Sequence, residues 1–155
     1  AGARRQRCAR VDLDQVVADV VELYDAVAEA QGATVQHVHD DALPVLGDRD
    51  LLAGVVANLL DNALKYGGPG CTVQLRTEWH EGHALLLVQD DGPGVPDDAL
   101  ARMGERFLRL QPELPGHGLG LSSVQAVVAL HGGQLHYENA APGLRVFISL
   151  PLDPT

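Results

Sequence analysis

Three short stretches of the sequence combine residue types that can hold a phosphorylated ligand. The first, residues 58–66, places two asparagines four positions apart on a predicted helix, with Asp61, Lys65 and Tyr66 beside them. Residues four apart share a helix face, so an amide oxygen, a cation and an aromatic ring lie within one or two turns. A helix end whose lysine complements the helix dipole has the same pattern, and the stretch alone fits both interpretations.

The second stretch, residues 90–96, follows an apolar run and reads Asp-Asp-Gly-Pro-Gly-Val-Pro. A carboxylate at the end of a strand can accept hydrogen bonds, while Gly92 and Gly94 let a ligand approach the bare backbone. The alternative for this stretch is an ordinary Asp-Gly turn.

The third stretch, residues 116–121, reads Gly-His-Gly-Leu-Gly-Leu and opens a predicted helix. Free amide N–H groups at a helix N-terminus suit a phosphate. The spacing does not fit a dinucleotide fingerprint, which would need glycine in place of Leu121 or Ser123, and no lysine follows as in a Walker loop. Taken alone, the glycines do not identify one ligand.

Hydrophobic periodicity predicts the elements that must position these stretches. Three long helices are predicted, from Asp12 or Asp14 to Gly32, from just after Asp48 to Gly67-Gly68, and over residues 118–131. A short helix is predicted at 97–103, and strands at 33–39, 43–46, 71–75, 84–88, 134–139 and 144–150. Because helices and strands do not alternate as in a doubly wound sheet, this order favours an α/β (α+β) two-layer sandwich, a mixed sheet with helices packed on one face.

Composition excludes several classes of protein. The 155 residues are 46% hydrophobic but only 4% aromatic, which predicts an aliphatic core. The net charge is −10, so an extended polyanion such as nucleic acid or a membrane surface is not an expected partner. Cys8 and Cys71 form no disulfide framework and no metal-binding spacing. No apolar run is long enough for a membrane span, and Lys65 is the only lysine.

In this order and spacing, the three stretches resemble the ATP-binding domain of sensor histidine kinases, which has the Bergerat fold shared with gyrase, heat-shock chaperone and mismatch-repair ATPases. Residues 58–66 resemble the N box of that family, 90–94 its G1 box and 116–121 its G2 box. Residues 105–109, Glu-Arg-Phe-Leu-Arg, are similar to the F box that marks histidine kinases. The resemblance covers residues 11–151.

The resemblance implies how the base of ATP would be bound. The Asp90 carboxylate would accept the exocyclic amine of adenine, and Gly92 and Gly94 would keep that wall of the site thin. Guanine presents a carbonyl acceptor at the same place and would be rejected. Tyr66 either flanks the base or ribose or packs in the core with its hydroxyl outward.

The resemblance also implies the phosphate end. Asn62 would supply an amide oxygen to Mg²⁺, with Asn58 as a second candidate ligand, and Lys65 would neutralise phosphate charge. Asn58 is neutral where related ATPases place a water-activating glutamate. The domain would therefore hold ATP without hydrolysing it efficiently and pass on its phosphoryl group. The catalytic residues would be Asn58, Asn62 and Lys65. Backbone groups of the G2 stretch would approach the phosphates, namely those of Gly116, His117, Gly118, Leu119 and Gly120. Arg109 either reaches the nucleotide or forms a surface ion pair, and the His117 side chain either touches the γ-phosphate or lies in solvent.

The implied function is transfer of the γ-phosphoryl group of Mg-ATP to a histidine in two-component signal transduction. That histidine would lie on the protein's own dimerisation domain, because none of the seven histidines here resembles a phosphoacceptor: His37, His39, His80, His83 and His136 are predicted to lie at the surface or at strand edges. Residues 1–10 would be a linker from that domain, 11–152 the catalytic ATP-binding domain and 153–155 a tail.

The resemblance further implies a response regulator as partner and a homodimeric parent anchored in the bacterial inner membrane, with this domain in the cytoplasm and not itself touching the membrane. Two alternatives are a serine kinase of the anti-sigma-factor type from the same superfamily and a degenerate nucleotide-binding module that only docks.

Overall fold

A computed structural model describes residues 8–38, 42–93, 120–140 and 143–153. Its helices are α1 (Leu13–Leu23), α2 (Asp25–Gln31), α3 (Arg49–Gly67) and α4 (Gly120–Leu130). Its strands are β1 (Ala9–Asp12), β2 (Thr34–Val38), β3 (Pro44–Gly47), β4 (Thr72–His80), β5 (His83–Asp90), β6 (Gln134–Asn139) and β7 (Leu144–Pro151). The short helix predicted at 97–103 lies outside the described residues.

The first predicted helix is wrong in one respect, because the structure divides it at Tyr24. Asp12 caps α1 by accepting a hydrogen bond from the backbone N–H of Asp14. At Tyr24 the backbone leaves the helical region (φ −94°, ψ 1°), and its N–H closes α1 by donating to the Val20 and Val21 carbonyls. A break of one residue hardly disturbs a 3.6-residue period, so the apolar pattern does not reveal it.

Helix α3 begins and ends where the sequence predicts. The Asp48 carboxylate accepts hydrogen bonds from the N–H groups of Asp50 and Leu51, which otherwise have no partner in the helix. The helix ends at the Gly67-Gly68 pair, where the Gly68 N–H donates to the Leu64 carbonyl. One face of α3 is buried, formed by Leu52, Val55, Val56, Leu59, Leu60, Ala63 and Leu64.

The predicted fold class is confirmed: a mixed sheet carries the helices on one face. Five strands lie in the order β2-β4-β5-β7-β6, with β2 parallel to β4 and the other pairs antiparallel. A second, two-stranded sheet pairs β1 with β3. Strand β1 starts at Ala9, so Ala9 and Arg10 belong to the fold, although the sequence predicts linker up to residue 10. No helix in the described ranges is long and apolar enough to cross a membrane.

The core is aliphatic, as composition predicts, but it contains one polar cluster that the sequence did not reveal. Thr77 on β4 is 1% exposed and donates to the Asp14 carboxylate. His37 on β2 contacts the same Asp14 oxygen through Nε2 at 3.1 Å, and its side chain is only 6% exposed. His37 was predicted to lie at the surface or at a strand edge; β2 is an edge strand of the sheet, but strand alternation turns the His37 side chain toward α1 and away from solvent. His80, His83 and His136 are exposed, and His39 lies outside the described residues.

Candidate functional site

An open pocket lies between α3 and the neighbouring strands β5 and β7. It brings together Asn62, Tyr66 and Asp90, which the sequence selected from two separate stretches. The residues that line it are Leu59, Asn62, Ala63, Tyr66, Val88, Asp90, Leu144 and Val146. The α3 residues among them recur at intervals of one, three and four, which places them on one side of the helix. The pocket therefore has apolar walls with an amide, a phenol and a carboxylate.

Asp90 is the last residue of β5 and is 3% exposed. Its Oδ1 accepts a hydrogen bond of 2.9 Å from the Gly92 N–H, and the Leu144 N–H also donates to the carboxylate. Burial raises the pKa of Asp90 above the ordinary 3.8, against the lowering effect of these two hydrogen bonds. An ionised carboxylate has about four acceptor positions, so this fixed group retains capacity for a donor from a ligand.

Three glycines allow the close packing around Asp90. A Cβ on Gly92 would lie 2.7 Å from the Gly67 Cα and 2.7 Å from the Tyr66 carbonyl oxygen. A Cβ on Gly67 would lie 2.7 Å from the Cys71 sulfur. Gly143 has φ +92°, and a Cβ there would overlap the Asp90 backbone. The sequence indicated Gly92 but assigned Gly143 only to a hairpin turn, because the contact joins segments that are distant in the chain.

The phosphate-end candidates lie side by side on α3. Asn58 is half-buried one turn before Asn62 and is not among the pocket-lining residues. Lys65 Nζ lies 2.9 Å from Asp61 Oδ2, and each side chain is 27% exposed. The structure thus places the only lysine of the chain in an ion pair that the sequence analysis did not predict. The remaining candidates, namely Gly94, Arg109, Gly116, His117, Gly118 and Leu119, lie outside the described residues, and Gly120 is the first residue of α4.

The side chains at the pocket fit a hard cation that takes most of its ligands from a bound nucleotide and from water rather than from the protein. Within the described part of the chain, no group of three or more His, Cys, Asp or Glu side chains could hold a metal ion. Mg²⁺ commonly keeps waters and phosphate oxygens and takes only one or two protein ligands. A single amide oxygen from Asn62 at the pocket wall agrees with that pattern.

The domain is a two-layer α/β sandwich whose pocket places a buried carboxylate at a strand end beside a helical asparagine. The family described as histidine kinase-, DNA gyrase B- and HSP90-like ATPase matches residues 47–154. The chain belongs to this family, and it is homologous to the catalytic domains of sensor histidine kinases. The predicted class of protein is therefore confirmed.

Individual relatives support the membership of the chain in this family. The chain is 46% identical over 102 residues to the signal transduction histidine-protein kinase/phosphatase MprB of Mycobacterium sp. (strain KMS), covering 64% of this chain and 20% of that protein. It thus spans about a fifth of that relative's length. A solved structure titled mycobacterial sensor histidine kinase MprB matches with a TM-score of 0.81 and 34% identity, covering 96% of this chain and 99% of that one. The structure of histidine kinase ThkA in complex with response regulator protein TrrA shares the fold, with a TM-score of 0.81, 21% identity, and coverage of 95% of this chain and 42% of that one.

Proposed function

We propose that this domain binds Mg-ATP and transfers its γ-phosphoryl group to a histidine on a separate dimerisation domain of its parent protein. The observation that carries the proposal is Asp90, a buried carboxylate held by two backbone N–H groups at the pocket that Asn62 also lines. These two N–H groups leave acceptor positions of the carboxylate unused, so its place at the pocket supports recognition of a hydrogen-bond donor on the ligand.

At the base end, Asp90 selects adenine. Its carboxylate would accept the exocyclic amine, and the apolar side chains of Leu59, Val88 and Val146, which line the same pocket, would pack against the ring. Guanine offers a carbonyl oxygen instead, which would leave two acceptors facing each other without a proton. A site built to pair one hydrogen-bonding edge rejects the other strongly. Tyr66, which lines the same pocket, flanks the base or ribose.

At the phosphate end, Asn62 and Asn58 are the candidate ligands for Mg²⁺ and Lys65 is the candidate phosphate contact. When bound, Mg²⁺ neutralises phosphate charge and stabilises the transferring phosphoryl group. Asn58 is an amide, and an amide cannot take a proton from water as a general base. The described site therefore orients ATP without activating water, and a nucleophile must come from the acceptor histidine.

The test uses this chain with radiolabelled Mg-ATP, with and without the parent's dimerisation domain. We expect acid-labile, base-stable phosphohistidine on the added domain and slow ATP hydrolysis without it. Asn58→Glu tests the missing base and Asn58→Gln is its uncharged control. If wild type and Asn58→Glu both hydrolyse ATP equally fast without acceptor, the proposal is wrong.

The wider assignments also belong to this proposal. The phosphohistidine would pass its phosphoryl group to a response regulator, the class of partner named for ThkA. The parent would be a homodimer anchored in the bacterial inner membrane, with residues 11–152 as its catalytic domain. Autophosphorylation of the parent in membrane vesicles, followed by transfer to a co-purified regulator, tests these assignments together.

A further inference from the structure

The Asp61–Lys65 pair has no place in the function described so far. The Lys65 ammonium lies 2.9 Å from the Asp61 carboxylate, in an i,i+4 arrangement near the end of α3. Because α3 has 3.6 residues per turn, Lys65 lies beside Asn62, and Asp61 lies further round the helix, away from the pocket-lining stripe. The ion pair therefore draws the lysine away from the side of α3 that faces the pocket.

The charge of Asp61 also acts on a residue from the preceding helices. Tyr24, at the junction of α1 and α2, has a raised pKa, first because it is partly buried and second because the negative charge of Asp61 acts on it. The geometry that matters for Lys65 remains its 2.9 Å contact with Asp61 on the same helix. A carboxylate in this position can hold the ammonium on the far side of α3.

We propose that Asp61 is a positioning residue that makes the site discriminate between metal-bound and metal-free nucleotide. This inference rests on the proposed function, because it assumes that Lys65 contacts phosphate. In the ligand-free domain Asp61 occupies Lys65, so a nucleotide must compete with it for the ammonium. Metal-free ADP carries its full negative charge and therefore depends on this ammonium.

Mg²⁺ changes this competition because it adds two positive charges to the nucleotide. Mg-ADP needs Lys65 less, whereas metal-free ADP depends on the lysine and therefore on its release from Asp61. Asp61 therefore lowers the affinity for metal-free ADP more than the affinity for Mg-ADP. Adenosine, which carries no phosphate, is unaffected.

Calorimetry with Asp61→Asn tests this inference with ADP in EDTA, with Mg-ADP and with adenosine. We expect Asp61→Asn to tighten binding of metal-free ADP by about threefold to tenfold at low ionic strength. Binding of Mg-ADP should change by less than about twofold, and adenosine binding should not change. The gain should shrink in 0.5 M salt, because salt screens partly exposed charges.

Two further variants separate the possible causes. Asp50→Asn makes the same charge change at the other end of α3, eleven residues or about 16 Å away, and should leave all three affinities unchanged. In a Lys65→Met background, Asp61→Asn should lose most of its effect, since Asp61 acts through the lysine.

The outcomes are distinct. If wild type binds Mg-ADP but Asp61→Asn does not tighten metal-free ADP, the inference about Asp61 is wrong and the proposed function stands. If Asp61→Asn weakens Mg-ADP tenfold or more, Asp61 contributes to holding the metal-bound nucleotide instead, and the inference is wrong. If wild type binds neither form of ADP, the proposed function itself fails.

Discussion

Gly92 offers a sharp test of the packing that positions Asp90, the carboxylate proposed to bind adenine. In Gly92→Ala, the added methyl group would lie 2.7 Å from both the Gly67 Cα and the Tyr66 carbonyl oxygen, and 3.1 Å from Asp90 Oδ1. Two of these three atoms belong to the backbone at the end of α3, which cannot move aside as a flexible side chain can. The contact must therefore separate the Asp90 segment from the α3 end.

Overpacking of this kind costs about 1–3 kcal/mol. For a domain of this size, each kcal/mol lowers Tm by about 2–4 °C, so a mid-range cost of about 2 kcal/mol predicts a decrease of about 4–8 °C. The displacement also moves Asp90 relative to the pocket, and we expect the Kd for ADP to rise about tenfold, because small misplacements of positioning groups have large effects. Calorimetry and thermal unfolding measure the two effects on the same samples.

Gly54→Ala is the matched control. Gly54 is an exposed residue within α3, and a Cβ there has nothing within 4 Å. Alanine in a helix interior is about 0.5–1 kcal/mol more favourable than glycine, so this variant should be slightly more stable and bind ADP normally. If Gly92→Ala keeps the wild-type Tm and Kd, or if Gly54→Ala shows the same losses, the argument from close packing is refuted.

Three other outcomes follow from the structure. Lys65→Met should weaken binding of metal-free ADP by at least about tenfold while leaving adenosine unchanged, since a charged hydrogen bond contributes about 1.5–3 kcal/mol. Equal losses for both ligands in calorimetry would contradict a phosphate role. Adenosine affinity should fall as pH drops through the pKa of Asp90, which burial raises above 3.8, because the protonated carboxyl group loses an acceptor. Asp90→Asn should remove this pH dependence. If the pH dependence persists in the variant, another group causes it. Thr77→Val should cost about 1–2 kcal/mol in urea unfolding, because it removes a buried hydrogen bond to Asp14. Thr77 is not among the pocket-lining residues, so a changed Kd for ADP would contradict a purely structural role.

Local signals predicted most of the scaffold. Asp48 and the Gly67-Gly68 pair bound α3 in the sequence as they do in the structure, because capping and termination depend on neighbouring residues. Asp90 was selected because the three stretches together resemble one family, whereas an acidic residue before glycine taken alone also fits an ordinary turn. The α3 face that bears Asn62 followed from helical spacing alone.

The remaining features depend on contacts between distant segments. Gly143 packs on Asp90 and the His37 ring contacts Asp14 across an element boundary, and neither contact leaves a pattern along the chain. The Asp61–Lys65 pair has the ordinary i,i+4 spacing of helical ion pairs. From the sequence, however, Lys65 could equally complement the helix dipole or contact the phosphates of a ligand. Only the assembled helix and its neighbours show which partner the lysine takes.

The central claim is that Asp90 and Asn62 form an adenine-specific Mg-nucleotide site. Calorimetry of the wild-type chain with Mg-ATP and Mg-GTP tests it most directly. We predict saturable binding of Mg-ATP and at least tenfold weaker binding of Mg-GTP, with the preference lost in Asp90→Asn. No binding of Mg-ATP at millimolar concentration, or equal affinity for the two nucleotides, would contradict the account.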